Sequence, residues 1–146
     1  LSARLDEDEN IIIVAIGTND SSVLDKEKEF WVSPDKFKKN LQEIAEISKK
    51  YSDKIIFVGL TPVEESKVNP FHGGIDIHYK NKNIENYNQT VKDISEENNF
   101  YFIELLDKWK KEHYFEFLYD GVHPNNIGHN KIFESVKDFL FENDLI

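Results

Sequence analysis

Short apolar runs alternate along this chain with longer segments in which apolar and polar residues are interleaved. Three apolar runs lie at residues 11–16, 55–60 and 100–105, about 45 residues apart. The first begins at Ile11 and ends at Ile16, and all three are rich in β-branched or aromatic residues. Runs of this length and composition, bounded by polar residues, are typical of buried strands. We therefore predict three strands at these positions.

The segments between and after these runs predict helices, because their apolar residues recur at steps of three and four positions. The first helix starts at Pro34, with Ser33 as its N-cap, and runs to about Lys50. The second ends near Glu97, and the third begins just after Pro124. The apolar positions of the three helices are Phe37, Leu41, Ile44, Ala45 and Ile47; Ile84, Tyr87, Val91 and Ile94; and Ile127, Ile132, Phe133, Val136, Phe139 and Leu140.

The alternation of strand and helix predicts the fold class. Parallel strands joined by helical crossovers form a sheet with helices on both faces, and the crossovers are right-handed. A chain of 146 residues is of the size of one domain. We expect a single α/β domain over residues 1–146, built as a three-layer α/β/α sandwich around a parallel sheet.

Composition and charge narrow the possible partners. The chain has 28 Asp and Glu against 18 Lys and Arg, a formal charge of −10 that repels nucleic acid and anionic membrane surfaces. No apolar run approaches the roughly 20 residues that span a bilayer. The absence of cysteine excludes disulfides and thiol nucleophiles. We expect neither a nucleic-acid partner nor a membrane span, and a cytoplasmic location is the default.

The first run stops abruptly at Gly17, Thr18, Asn19 and Asp20. Open α/β sheets bind their ligands at the carboxyl ends of the strands, so Asn19 is expected at the rim of a ligand site. Gly17 lets the backbone approach closely, and Asp20 is expected to support the loop by bonding neighbouring amides. The alternative is that Asn19 only stabilises the loop after the strand.

A second polar block, residues 120–125, precedes the last predicted helix. Asp120 lies three residues before His123, with Gly121 between them and Pro124 after. In a tight turn of this kind the carboxylate can accept a hydrogen bond from imidazole Nδ1–H, which is two-thirds of a hydrolytic triad. The alternatives are a surface histidine and an ordinary turn-forming aspartate.

These two blocks resemble those of the GDSL/SGNH hydrolase family, which contains lipases, esterases and acylhydrolases. Residues 17–20 match its Gly-x-Asn-Asp block, and Asp120 and His123 match its Asp-x-x-His block. Residues 55–62 are similar to a strand of that family that ends in a Thr-Pro turn. The block Gly-Asp-Ser, which carries the nucleophilic serine, does not occur in the sequence, and the family's oxyanion-hole glycine block is not found either.

The resemblance implies a flavodoxin-like sheet and a role for each matched residue. His123 would be the general base, Asp120 would orient it, and Asn19 would donate to the oxyanion, with Gly17 and Asp20 as support. The substrate would be a small acyl ester, with neither cofactor nor metal. The serine and the glycine donor are expected outside this chain, so that the chain alone should be inactive. The alternative is a catalytically silent module that binds a carbohydrate or an acyl group.

The resemblance also bears on the edge of the sheet. In the strand order 2-1-3-4-5 of that fold, the nucleophile strand lies beside the strand that corresponds to residues 11–16. Because the sequence begins without methionine and lacks the serine block, we expect the family's N-terminal portion to be absent. An open apolar edge promotes aggregation. We therefore expect an absent N-terminal segment, or an oligomer partner, to cover the edge from Ile11 to Ile16.

The remaining candidates carry less specific signals. The spacing of His72, His78, His113 and His129 does not place two ligands on one helical face, which disfavours a metal site. Residues 63–78 are either a wall of the substrate pocket or an ordinary long loop. The aromatic residues that precede the Asp-His turn are expected to serve core packing for the most part; they are Trp109, Tyr114, Phe115, Phe117 and Tyr119. A nucleotide site is disfavoured because no glycine-rich phosphate loop follows a predicted strand.

Overall fold

A computed structural model describes residues 10–24, 29–71 and 76–146 of the chain. Strands and helices alternate through these ranges, and a short 3₁₀ helix at Tyr114–Phe117 precedes the last of them. The strands are β1 (Ile11–Val14), β2 (Val23–Leu24), β3 (Glu29–Phe30), β4 (Lys54–Val58), β5 (Ile77–His78) and β6 (Tyr101–Ile103). The α-helices are α1 (Pro34–Ser48), α2 (Asn81–Glu97), α3 (Leu106–Lys110) and α4 (Asn126–Glu142).

The main sheet has the order β1-β4-β6, and both strand pairs are parallel. All three predicted strands are therefore confirmed, although each ends before the predicted boundary. Ala15 and Ile16 lie beyond the end of β1, and beyond β4 Gly59 N–H still donates to the carbonyl of Ile103 at 2.8 Å before the chain leaves the sheet. This early divergence opens the carboxyl edge of the sheet, where the chain ends of neighbouring strands line a common cleft.

A second, small antiparallel sheet was not predicted. It has the order β3-β2-β5 and pairs Val23 with Phe30 and with His78. Its strands have two residues each, too few to produce an alternating pattern in the sequence. The sheet ties the chain after β1 to the segment before α2, and so brings residues of two distant segments to one end of the main sheet.

Helices cover the main sheet on both faces, which confirms the α/β/α layers. On one face α1 and α2 pack with Ile55 and Phe57 of β4 in the larger core. On the other face α4 packs against Ile56 and Val58 of the same strand, together with Ile103. Successive residues of β4 point to opposite faces, so both sides of the central strand are buried. Within the described residues, this is the pattern expected for a parallel sheet.

The first two helices lie where the sequence places them, with differences at the ends of α1. Pro34 occupies the first turn and α2 ends at Glu97, as predicted. Ser33 is the N-cap residue, but its side chain makes no capping hydrogen bond. Ile47 is exposed rather than buried, because the buried stripe of α1 continues through Ala45 to Ser48 instead.

Helix α4 is capped by Asn125, whose Oδ1 accepts hydrogen bonds from the N–H groups of Ile127 and Gly128. The predicted apolar stripe is only partly correct. Ile127 and Phe133 are 54% and 58% exposed, because both lie off the arc of the helix that faces the sheet. The residues of that stripe that do pack on the second core are Ile132, Val136, Phe139 and Leu140.

Strand β1 lies at an edge of the main sheet in the described structure, as the resemblance implied. Its side chains are less buried than those of β4: Ile13 is 45% exposed, and Ile16 just beyond the strand is 40% exposed. Helix α4 covers β4 and β6 but leaves these residues accessible. Among the described residues no strand pairs with the outer side of β1, and the apolar side chains Ile13 and Ile16 are exposed there.

Candidate active site

The Asp120–His123 turn is held by its own carboxylate. One carboxylate oxygen of Asp120, Oδ1, accepts the backbone N–H of Val122 at 3.0 Å and that of His123 at 2.8 Å. The other, Oδ2, lies 2.7 Å from Nδ1 of the His123 ring. This contact fixes the ring orientation and leaves Nε2 as the nitrogen that can exchange a proton with a reactant.

The electrostatics of the turn favour an ionised Asp120. Partial burial raises the pKa of the carboxyl group, but the hydrogen bonds from the His123 backbone, the His123 ring and the Val122 backbone together lower it below its usual value. A carboxylate that stays ionised beside an imidazole stabilises the imidazolium that forms when the ring accepts a proton.

Gly121 allows the turn to pack against the segment that follows β4. Its φ is +96°, and a Cβ there would lie 2.8 Å from Cγ1 of Val68 and 3.0 Å from Cβ of Lys67. Its carbonyl accepts the N–H of Glu64 at 2.8 Å. The part of the predicted loop that begins at Val63 therefore supports the turn directly, because it forms the wall behind Gly121.

Asn125 holds the other side of the turn. Its backbone N–H donates to the carbonyl of Phe117 at 2.8 Å, and its Nδ2 donates to the carbonyl of Glu116 at 2.8 Å. The same side chain caps α4 through Oδ1. The sequence signal for this role is an asparagine directly before the apolar pattern of the last helix. Sequence reasoning missed Asn125 as the cap of that helix.

On the other side of the cleft, Gly17 positions the loop that carries Asn19. Gly17 has φ +124°, and a Cβ there would lie 3.0 Å from Cζ of Phe37 and 3.1 Å from Cδ1 of Leu60. The carbonyl of Asn19 accepts the hydroxyl of Ser22 at 2.7 Å. Close packing behind Gly17 and this local bond direct the loop toward the carboxyl end of the sheet.

Asp20 contributes a main-chain contact to this loop. In the described part of the chain its carbonyl accepts the N–H of Val32 at 3.3 Å, whereas its carboxylate accepts no hydrogen bond from the loop amides. Those amides use backbone carbonyls instead, since Ser21 N–H donates to Gly17 and Ser22 N–H to Asn19. The main chain closes this turn by itself.

The two predicted blocks meet at one cleft of about 390 Å³. Residues 17–20 line one side, and Val122, His123 and Pro124 line the other. Apolar residues form the floor; they are Ala15, Ile16, Val58, Leu60 and Leu105 from the strand ends, and Ile132 from α4. Asn19 and His123 thus line one cleft, although they are separated by about a hundred residues in the chain.

Two aromatic residues, Phe71 and Tyr79, contact side chains that line this cleft. The hydroxyl of Tyr79 donates to Oδ1 of Asn19 at 3.2 Å. The ring of Phe71 lies edge to face with Tyr79 at 5.9 Å and with His123 at 6.1 Å, measured between ring centroids. Phe71 lies within residues 63–78, which were predicted as either a pocket wall or an ordinary loop, and Tyr79 directly follows that segment. Both rings are candidates for such a wall.

The other sequence candidates lie away from these contacts. His78 pairs with Asp76 at 2.8 Å, His113 and His129 are exposed, and His72 lies outside the described residues. No group of three metal-ligating side chains is found where the structure is described. Of the aromatic residues before the turn, Trp109 and Phe117 are buried against each other, whereas Phe115 and Tyr119 are exposed.

Solved structures with this fold are ester hydrolases. A lipase/acylhydrolase from Enterococcus faecalis matches with a TM-score of 0.70 and 16% identity over 89% of this chain and 60% of its own. A GDSL-like lipase from Bacteroides thetaiotaomicron matches with a TM-score of 0.68 and 21% identity over 91% of this chain and 62% of its own. An acetylxylan esterase from Geobacillus stearothermophilus matches with a TM-score of 0.63 and 21% identity over 91% and 58%.

The fold is therefore that of the α/β/α ester hydrolases. The model of the GDSL-like lipase/acylhydrolase family matches residues 1–131, and the chain belongs to this family. It spans about three-fifths of the length of the solved relatives. Among curated proteins, none matches the chain in sequence. In the part of the chain that the structure describes, no helix is both long and apolar enough to cross a bilayer.

Proposed function

We propose that the protein containing this chain hydrolyses carboxylic esters of small molecules through a serine, with His123 as general base and Asp120 as its orienting partner. The observation that carries this proposal is the 2.7 Å contact between Asp120 Oδ2 and His123 Nδ1, at a cleft that Asn19 also lines. Membership in a family of lipases and acylhydrolases supports the same reaction class.

In the proposed reaction His123 Nε2 takes the proton of the serine hydroxyl as the oxygen attacks the ester carbonyl. The carbonyl oxygen becomes an oxyanion, to which the Nδ2 amide of Asn19 donates a hydrogen bond. The C–O bond then breaks, and the imidazolium returns the proton to the leaving alkoxide. Water, activated by the same imidazole, releases the acid from the acyl-serine and restores the serine hydroxyl.

The nucleophile is proposed to come from polypeptide outside this chain. The sequence contains no Gly-Asp-Ser, and in the part of the chain that the structure describes no strand pairs with the outer side of β1, which lies beside the cleft. Ala15 and Ile16, which follow β1, line that cleft. A strand paired with β1 places its own carboxyl end next to them, where a serine can reach His123. An N-terminal segment of the same polypeptide fits this arrangement, and an oligomer partner is the alternative.

A serine-directed probe tests the reaction class. A fluorophosphonate should label the whole gene product, and the His123→Ala variant should lose both labelling and hydrolysis of p-nitrophenyl acetate. Residues 1–146 alone should show neither. Reading the coding sequence before Leu1 adds a second test, because the proposal requires a strand there that ends in serine. Unchanged ester hydrolysis in His123→Ala would contradict the assignment.

The pairing of the edge has its own measurement. Amide hydrogen exchange of residues 11–16 should be fast in this chain alone and slow when the missing segment is present, because parallel pairing satisfies the open backbone groups. The same comparison for β4 gives the control, since that strand is already paired on both sides. Equal exchange of residues 11–16 in the two samples would contradict a strand at this edge.

A second candidate function is a catalytically silent module that binds an acyl group or a carbohydrate. The lack of a serine block in the sequence favours it. It predicts that the whole gene product binds an acetylated sugar in calorimetry but resists fluorophosphonate labelling. Labelling that depends on His123 would exclude this alternative.

A further inference from the structure

We propose that Tyr79 is a positioning residue for the oxyanion donor Asn19. Its hydroxyl holds the carbonyl end of the Asn19 side chain, so that the amide end is the one presented to substrate. The inference rests on the proposed function, because it assigns a role in that reaction. Nothing in the two matched sequence blocks includes Tyr79.

In this hydrogen bond the carbonyl end of the Asn19 amide is occupied and the amino end is free. Tyr79 OH donates to Asn19 Oδ1 at 3.2 Å, and Tyr79 is only 5% exposed whereas Asn19 is exposed. The two ends of an asparagine amide have almost the same shape, so neighbouring hydrogen bonds decide between its two orientations. A single net hydrogen bond changes such an equilibrium about five-fold. With Oδ1 occupied, Nδ2 remains as the donor that an oxyanion requires.

The Tyr79 ring is held on several sides. Its backbone N–H donates to the carbonyl of Val68 at 3.3 Å, and Phe71 packs against the ring at an interplanar angle of 81°. Phe71 also packs against the His123 ring, at 66°. One aromatic pair therefore contacts both halves of the site.

Tyr79 keeps its proton under ordinary conditions, which a donor to Asn19 must do. Burial raises the pKa of its hydroxyl, and the negative charge of Asp120 raises it further. The hydroxyl therefore remains a donor through the neutral and mildly alkaline range, in which an ester hydrolase with a histidine base operates.

Tyr87 offers a structural comparison. It is also almost fully buried, and its hydroxyl donates to the backbone carbonyl of Val32. That bond ties α2 to the loop before α1 and reaches no side chain of the cleft. Tyr79, by contrast, uses its hydroxyl on the side chain of Asn19. If both tyrosines contribute only to packing and stability, removing the hydroxyl of Tyr79 and removing that of Tyr87 should have the same effect on kcat.

The test is a double-mutant cycle in the whole gene product with p-nitrophenyl acetate. Tyr79→Phe should lower kcat by about 5- to 10-fold with KM within about two-fold, because only the orientation of the donor is disturbed. Asn19→Ala should lower kcat more, and adding Tyr79→Phe to Asn19→Ala should have no further effect. Tyr87→Phe is the matched control and should leave kcat within about two-fold.

Two further measurements separate positioning from packing. Asn19→Asp keeps an oxygen for Tyr79 but removes the donor, so it should be as slow as Asn19→Ala. In NMR spectra the side-chain amide signals of Asn19 should shift in Tyr79→Phe and stay in place in Tyr87→Phe. The NMR measurement does not require turnover, and it also shows whether each variant is folded.

The outcomes distinguish this inference from the proposed function. An unchanged kcat in Tyr79→Phe, or an equal loss in the presence and absence of Asn19, overturns the role of Tyr79. If His123→Ala and Asn19→Ala are slow at the same time, the proposed function stands without it. Full activity of His123→Ala instead overturns the proposed function itself.

Discussion

The Asp120–His123 turn and the Asn19 loop face each other across one cleft, but they are stabilised in different ways. In the turn, each hydrogen bond to the Asp120 side chain comes from two or three residues away in sequence. In the loop, the side chain of Asn19 is held by Tyr79, sixty residues away. The base is thus positioned by local sequence, whereas the proposed oxyanion donor depends on tertiary packing.

The largest effect is expected when the proposed base, His123, is removed from the turn that local sequence positions. His123→Ala should lower kcat by on the order of 10⁴- to 10⁶-fold in the whole gene product, as removal of a triad histidine does in other serine hydrolases. The measurement is steady-state hydrolysis of p-nitrophenyl acetate. His129→Ala, an exposed position on α4, is the control and should retain full activity. A loss below ten-fold would contradict the role of His123.

Asp120→Asn should reduce kcat by about 10⁴-fold, because an amide in place of the carboxylate favours the wrong tautomer of the histidine. The same assay measures it, with Asp53→Asn at an exposed position as control. A loss equal to that of a distant surface variant would mean that the 2.7 Å contact has no part in the reaction.

Asn19→Ala tests the tertiary side of the comparison and should cost about 10² to 10³ in kcat, the usual effect of losing one oxyanion donor. Because the donor acts on the transition state, KM should change little. Asn130→Ala, exposed on α4, provides the control. If KM rises and kcat stays constant, Asn19 binds substrate rather than the oxyanion.

The free energy of unfolding gives a further comparison of the turn and the loop, because each contains a glycine with positive φ. Gly121→Ala and Gly17→Ala should each lower the free energy of unfolding by about 1–3 kcal/mol, as the added Cβ meets strained backbone and close neighbours. Urea titration measures both. An alanine tolerated at either position would show that the packing behind it yields easily.

The smallest expected effect is on the pH dependence of stability. The pKa of Asp120 is lower in the folded state than the usual value near 4, so the unfolded chain binds more protons between the two values. The stabilisation by this carboxylate is complete above the unfolded pKa and is lost as the pH falls through the folded one. Asp120→Asn should flatten the unfolding free energy below about pH 4. An identical acid profile would contradict the shift.

The positions of the main strands and of the first two helices could be predicted from the sequence. The strand positions agree with the structure because continuous apolar runs mark buried strands, the start of α1 agrees because proline favours the first turn of a helix, and the end of α2 at Glu97 agrees because the apolar periodicity stops there. The edge position of β1 followed from a family resemblance, not from its own residues. Ile127 and Phe133 were wrongly predicted to be buried. The six apolar residues of α4 extend around more of the helix circumference than the sheet can cover.

The interactions that are absent from local patterns are the ones that sequence reasoning missed. Two-residue strands such as Val23–Leu24 carry no periodic signal. The small sheet that they form nevertheless brings Tyr79, the residue after β5, to Asn19. The contact of Phe71 with His123 likewise depends on how the segment folds back onto the turn. Such pairings are set by packing across tens of residues, which a single sequence does not display.

The open edge of β1 has a consequence for engineering. Under the proposed assignment, the boundary between this chain and the polypeptide that pairs with it passes between the nucleophile and its base, so that each piece holds half of one reaction centre. If the assignment holds, two such pieces fused to proteins that associate would regain ester hydrolysis only when joined, as in a split reporter. The ester signal then measures whether the fused proteins have met.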